Sequence, residues 1–268
     1  MSYTSILFSP EGPVARLTLN RPEKRNAFDN VMYDECIHAL QSLEGVSGVR
    51  ALVVAAVGPA FCAGADLGAV VEGGREDRGR RPADELREDL RRRVQRINLR
   101  LRQLELPTIA MINGPAVGAG FDLASSCDLR VASPRARFMM AYTRVGLFPG
   151  GGGCWLLPRV VGLPKALELI YTGDFMEAEE ALRLGYLHRL VPEEQLEAAT
   201  MELAQKVAAG PPIALRLAKL QIYKGLEMEF EAALEFAAAA ETITLTSQDH
   251  VEGVRAFREK RTPVFRGI

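Results

Sequence analysis

The segment Ile112-Asn113-Gly114-Pro115-Ala116-Val117-Gly118-Ala119-Gly120-Phe121-Asp122-Leu123-Ala124-Ser125-Ser126-Cys127-Asp128-Leu129-Arg130-Val131-Ala132-Ser133 decides how the rest of the chain is read. It leaves an apolar, β-forming run at Thr108 to Ile112, crosses a turn of small residues, enters a helical pattern and ends in a second apolar run at Leu129 to Ala132. Strand, glycine turn, helix and strand in succession build a largely parallel sheet covered by helices. Small residues in the turn let a ligand approach the main chain, and the helix that opens there begins with N–H groups lacking internal partners. Such a helix start polarises a bound carbonyl.

Working outward, Phe61-Cys62-Ala63-Gly64-Ala65-Asp66-Leu67 repeats the design after the buried run Ala51 to Val57. Two main-chain donors converging on one oxygen form an oxyanion hole, although either turn alone also fits close packing or a nucleotide turn. Val14 to Leu19 reads as a further strand. Val31 to Leu43 sets Met32, Cys36, Ala39, Leu40 and Leu43 on one helical face, and Pro82 to Leu104 forms a long helix rich in Arg and Leu. After Pro192 only helical periodicity remains, interrupted at Gly210-Pro211-Pro212 and Gly225. The expected division is therefore an α/β core over 1–192 and a helical region over 193–268, too thin for a large core and packed on the main domain or another subunit.

Bulk properties exclude several classes. The 268 residues carry 33 Lys plus Arg against 34 Asp plus Glu, a net charge of −1 that gives no global attraction to nucleic acid or an anionic membrane. The most charged segment, Glu72 to Arg93, sets 8 arginines against 7 acidic residues, as in a loop leading into a solvated helix with internal ion pairs. Cys36, Cys62, Cys127 and Cys154 are widely spaced and form no CxxC pair, which suits buried free thiols better than zinc or disulfides. His38, His188 and His250 have no metal spacing and read as packing or surface residues. Neither a signal-like start nor a membrane-length apolar run is present, so the expected location is the cytoplasm.

Read together, LNRPEKRNAF (Leu19 to Phe28), FCAGADL, the Ile112 to Ser133 segment, VGLFPGGGG (Val145 to Gly153) and VEGVRAFREKRTPVF (Val251 to Phe265) resemble the crotonase, or enoyl-CoA hydratase/isomerase, superfamily. The resemblance runs from about Val14 to the C-terminus. It implies an α/β fold, a spiral of ββα units, with a helical C-terminal oligomerisation region that builds trimers or pairs of trimers. It also implies an acyl-CoA substrate whose CoA is part of the substrate, with no separate cofactor; the residue spacing, charge balance and lack of a membrane-length run add the expectation of no metal and no membrane or nucleic-acid partner. The thioester oxygen maps to the main-chain N–H groups of Ala65 and Ala119, the second position usually being Gly. The CoA maps to Arg25, the turn Ala63, Ala65, Asp66 and Leu67, and Phe257 and Lys260, which reach a CoA commonly bound to a neighbouring subunit. Asp66 and Asp128 read as structural, Asp66 as the cap of the helix that follows.

The catalytic positions depart from the family pattern. Where standard hydratases of the family carry two glutamates, this chain has Asp122 and, twenty residues later, Tyr142; Gly150 occupies a third position that is acidic in some isomerases. Two carboxylates hold a water and deliver its oxygen and proton, whereas a tyrosine hydroxyl at neutral pH is mainly a donor. Asp122 is thus the first candidate for proton transfer and Tyr142 the second. Isomerisation, which needs a single base, tolerates the missing glutamate better than hydration does. Alternatives are an acyl-CoA hydrolase, a decarboxylase or a C–C bond-cleaving homologue, and, outside catalysis, an acyl-CoA-binding or RNA-associated protein. The four glycines at 150–153 are no phosphate cradle, because Cys154-Trp155 follows them in place of Lys-Ser or Lys-Thr.

Overall fold

In the computed structural model, residues 2–10, 12–46, 48–66 and 82–268 are described. The larger sheet contains six strands: β1 (Ile6–Ser9), β2 (Val14–Leu19), β3 (Ala51–Ala56), β4 (Thr108–Ile112), β6 (Leu129–Ala132) and β9 (Arg189–Leu190), adjacent in that order. Only β1 runs antiparallel to its neighbour; every later pairing is parallel, as the strand-turn-helix reading requires. A smaller sheet places β7 (Arg137–Met139) between β5 (Ala116–Val117) and β8 (Phe175–Glu177). Its strands have two or three residues and carry no alternation long enough to be seen in the sequence.

Helix α1 (Asn30–Ser42) begins where the Asp29 carboxylate accepts the Met32 N–H at 2.8 Å. It turns Met32, Tyr33, Cys36, Ala39 and Leu40 into the core. The long helix expected from Pro82 is interrupted: α2 (Ala83–Asp89) passes through a π-helical turn at Leu90–Val94 before α3 (Gln95–Gln103). Helix α4 (Ala119–Ser126) is buried along its whole length, and its small residues allow that position. Next come α5 (Gly153–Val161), α6 (Leu163–Thr172) and α7 (Ala178–Arg183).

Beyond residue 192 the described residues form α8 (Leu196–Ala208), α9 (Pro212–Gly225), α10 (Phe230–Leu245) and α11 (Gln248–Glu259), with no strand among them. Helix α8 lies on the sheet, packing Leu196 and Ala204 against Val53, Ala55, Ile109, Met111 and Val131. Helices α9 and α10 bury no residue, and α11 buries only Asp249 and Ala256. The chain end returns to this region: Asp249 accepts the N–H groups of Arg266 and Gly267 at 2.6 and 2.8 Å, while Arg50 donates to Phe265 O at 2.8 Å. Among the described residues no helix is long and apolar enough to cross a membrane.

Candidate active site

The two glycine turns meet. Cys62 bonds the strand β5 region in both directions, Cys62 N–H donating to Pro115 O at 3.1 Å and Val117 N–H to Cys62 O at 2.9 Å. Two residues on, the Phe28 N–H donates to Gly64 O at 2.7 Å and the Asp66 N–H to Phe28 O at 2.8 Å. Main-chain direction alternates along an extended segment, so the Ala65 N–H between them points away from Phe28. Ala119 is the first residue of α4, where an N–H has no intrahelical acceptor. No main-chain hydrogen bond among the described residues engages either N–H. Gly64 permits the contact: at φ +99° a Cβ there would stand 3.0 Å from Val117 O and 3.7 Å from Ala119 N. The residue beside Ala65 thus leaves no room for a side chain between the first turn and the start of α4.

One turn into α4, Asp122 is fully buried. Its Oδ2 accepts the Tyr142 hydroxyl at 2.7 Å, while Oδ1 has no hydrogen-bond partner among the described residues. Burial pushes the carboxyl up to about 7, and the Tyr142 hydroxyl and the nearby Gly153 N–H only partly oppose that rise. Tyr142 is pushed far above the usual phenol range by its own burial and by the adjacent carboxylate, so it remains a donor. The spacing of 20 residues seen in the sequence is therefore a side-chain contact.

The glycine run closes this site from behind. A Cβ on Gly151 would lie 2.2 Å from Asp122 Oδ2, and one on Gly153 would lie 2.7 Å from Oδ1. The run is held by α3, with Asn98 Nδ2 donating to Gly151 O at 2.7 Å and Gln95 Nε2 to Gly150 O at 3.2 Å. The charged segment ahead of α3 is ion-paired as expected, Arg92 with Glu88 at 2.7 Å, and it also reaches α1 through Arg93 and Asp34 at 3.0 Å. Residues 67–81, and with them the expected role of Leu67 and the helix to be capped by Asp66, lie outside the described residues.

The remaining candidates separate into two places. Beside the first turn, Arg25 is exposed in a left-handed conformation, φ +50°, and its carbonyl accepts the Ala63 N–H at 2.9 Å. Asp66 pairs with Arg21 at 3.2 Å, and Arg21 also holds Asp29 at 3.1 Å, which ties the turn to the start of α1. Phe257 and Lys260 lie on and just after α11, away from Asp122; Phe257 is 86% exposed and lines a cleft with Pro211, Val254 and Phe265. Asp128 is engaged structurally, accepting Thr108 N–H at 2.7 Å and pairing with Lys219 at 2.9 Å. His38 bonds Tyr3, and burial lowers His188 to about 4. Cys36, Cys62 and Cys127 are buried free thiols, but Cys154 is exposed, contrary to the expectation for all four, because it opens the first turn of α5. Among the described residues no cluster of His, Cys, Asp and Glu fits a metal ion.

The sequence profile described as enoyl-CoA hydratase/isomerase matches residues 10–267. The chain belongs to the enoyl-CoA hydratase/isomerase family. Its solved relatives include the enoyl-CoA hydratase from Bacillus anthracis, at 32% identity, TM-score 0.90, and coverage of 99% of this chain and 100% of that one. The fold is thus the crotonase-like spiral with its helical C-terminal region. Two further relatives of this enoyl-CoA hydratase/isomerase family member bear different activities in their names. The short-chain-enoyl-CoA hydratase of Clostridium acetobutylicum is 34% identical, covering 97% of each chain; the 1,2-epoxyphenylacetyl-CoA isomerase of Escherichia coli is 35% identical, covering 98% of each. The protein is an acyl-CoA-processing enzyme of the hydratase/isomerase type, and these nearly equal identities leave the reaction to be argued from the residues at the site.

Proposed function

We propose that the enzyme shifts the double bond of an enoyl-CoA thioester, with Asp122 as the acid/base and the Ala65 and Ala119 N–H groups holding the thioester oxygen. Asp122 removes a proton from the α carbon of a β,γ-enoyl thioester. The electron pair delocalises onto the oxygen and the γ carbon, and the same carboxyl returns the proton at the γ carbon. Atoms and electrons balance with one proton carrier and no cofactor beyond the CoA of the substrate. The observation that carries this reading is the state of Asp122: one oxygen is fixed by Tyr142, the other is unpartnered, and the carboxyl titrates near 7. A proton-transfer group poised near working pH gives up and takes back a proton with comparable ease. Tyr142 orients the carboxylate and stays protonated. Hydration is the second reading, favoured by the same hydrogen-bonded pair, which would align a water beside the acyl chain.

The pantetheine and adenine are assigned to Arg25 and the Ala63 to Leu67 turn, with Asp66 holding that turn. Phe257 and Lys260 are assigned to the CoA of a neighbouring protomer in a homotrimer or a dimer of trimers. Support for the assembly comes from the apolar residues exposed on α9–α11. Cytoplasmic fatty acid metabolism is the setting that fits. A panel of β,γ- and α,β-enoyl-CoA substrates, with products followed by mass, tests the reaction. Isomerisation converts the β,γ-enoyl substrate into an α,β-enoyl product of unchanged mass, told from unreacted substrate by its chromatographic retention and its conjugated-thioester absorbance; products heavier by one water as the main outcome would replace this reading with hydration.

A further inference from the structure

Tyr33 is a polar residue of the site that proton transfer by Asp122 leaves unused. Its ring stacks on Phe28 with centroids 4.4 Å apart and planes 15° from parallel. Phe28 in turn brackets the Ala65 N–H through its bonds to Gly64 and Asp66. Tyr33 is 6% exposed, and its hydroxyl has no hydrogen-bond partner among the described residues. Burial first, and after it the charges of Cys62 and Asp122, push the Tyr33 phenol above its ordinary range, and Tyr33 acts likewise on Tyr142, so the phenol belongs to the same cluster. Cys62 completes the connection by lying against α4: a Cβ on Gly120 would be 2.9 Å from its Sγ.

Ring stacking alone needs no oxygen, and a phenylalanine would supply it. A buried hydroxyl left without a partner weakens folding by roughly 10-fold or more in the equilibrium constant. Two acceptor oxygens are also unpartnered and buried around Asp122: its own Oδ1 and Asn98 Oδ1. The spare donor is the Tyr33 hydroxyl, and a hydroxyl or keto oxygen on the ligand accepts from it, whereas a hydrocarbon chain would leave it unpaired. We propose that Tyr33 is a specificity-determining residue whose hydroxyl donates to an oxygen on the acyl chain, so that the enzyme selects acyl-CoA substrates bearing a hydroxyl or keto oxygen beyond the thioester. This rests on the reading that the acyl chain lies beside Asp122.

The test compares enoyl-CoA substrates matched in chain length, plain or carrying a hydroxyl or keto group at successive positions from the γ carbon outward. The expected result for the wild-type enzyme is a kcat/KM ratio, best oxygenated over plain, of about 10 or more, the value of one neutral hydrogen bond. In Tyr33→Phe the ratio falls to about one. Tyr171→Phe, at an exposed tyrosine, keeps the wild-type ratio. Melting of substrate-free Tyr33→Phe should be unchanged or raised, since the atom removed has no partner. A wild-type ratio near one across the panel, an unchanged ratio in Tyr33→Phe, or a lowered melting temperature in that variant would each overturn the proposal. Asp122→Asn is run beside them: full turnover in that variant defeats the proton-transfer reading itself, an outcome separate from the Tyr33 ratio.

Discussion

Asp122 is set apart from the other carboxylates by an environment that disfavours its charge while one hydroxyl steadies it. Its folded value near 7 lies above the ordinary 3.8, so it stays protonated to a higher pH than a free aspartate. The ionised form is the base, so kcat/KM for isomerisation should rise with pH through an inflection near 7. The Tyr142 bond lowers this value; Tyr142→Phe should therefore move the inflection to higher pH, by an amount read from pH–rate profiles of the two enzymes. An inflection moving to lower pH would contradict the assigned geometry. Asp122 and Tyr142 were legible in the sequence as two family positions, but the hydrogen bond between them was not. Tyr33 was not, because its position on α1 looks like one more residue of the core face, and a missing hydrogen-bond partner arises only from tertiary packing.

At the scale of elements, the site depends on main chain brought close to main chain and to Asp122. The run 150–153 does so by having no side chains, with Gly151 and Gly153 forming the wall behind the carboxylate. Gly151→Ala should push Asp122 off its Tyr142 contact and lower kcat by about 10²-fold, the usual effect of misplacing a reacting group by about 1 Å. Steady-state kinetics beside a thermal melt would separate this from unfolding, since overpacking alone costs about 1–3 kcal/mol. Strands β2, β3, β4 and β6 and helix α1 were readable from runs of four or more apolar or periodic residues. The smaller sheet was not, because two- and three-residue strands are defined by their partners. The π turn at Leu90–Val94 likewise leaves no mark in a segment dominated by Arg and acidic residues.

Across the whole molecule, α8 completes the core while α9–α11 remain largely uncovered. Phe230 is 78% exposed and Phe257 86%, too much apolar surface in one region for a monomer's needs. Sedimentation equilibrium should therefore give a mass of three or six times 29.3 kDa, and Phe257→Asp should weaken that assembly; a stable monomer at micromolar concentration would contradict it. The change of pattern after Pro192 foretold the helices but not that the first of them belongs to the sheet's own core, because periodicity reports a buried face without naming what buries it.

Asp122 as the proton carrier for a thioester held at Ala65 and Ala119 is the central proposal. Its most direct test is the turnover of a β,γ-enoyl-CoA by Asp122→Asn, which keeps the shape of the carboxyl and removes its titration. A loss of about 10²–10⁴-fold in kcat, with the inflection near pH 7 abolished, is the predicted result. Turnover within about threefold of wild type, with the pH profile intact, would contradict it.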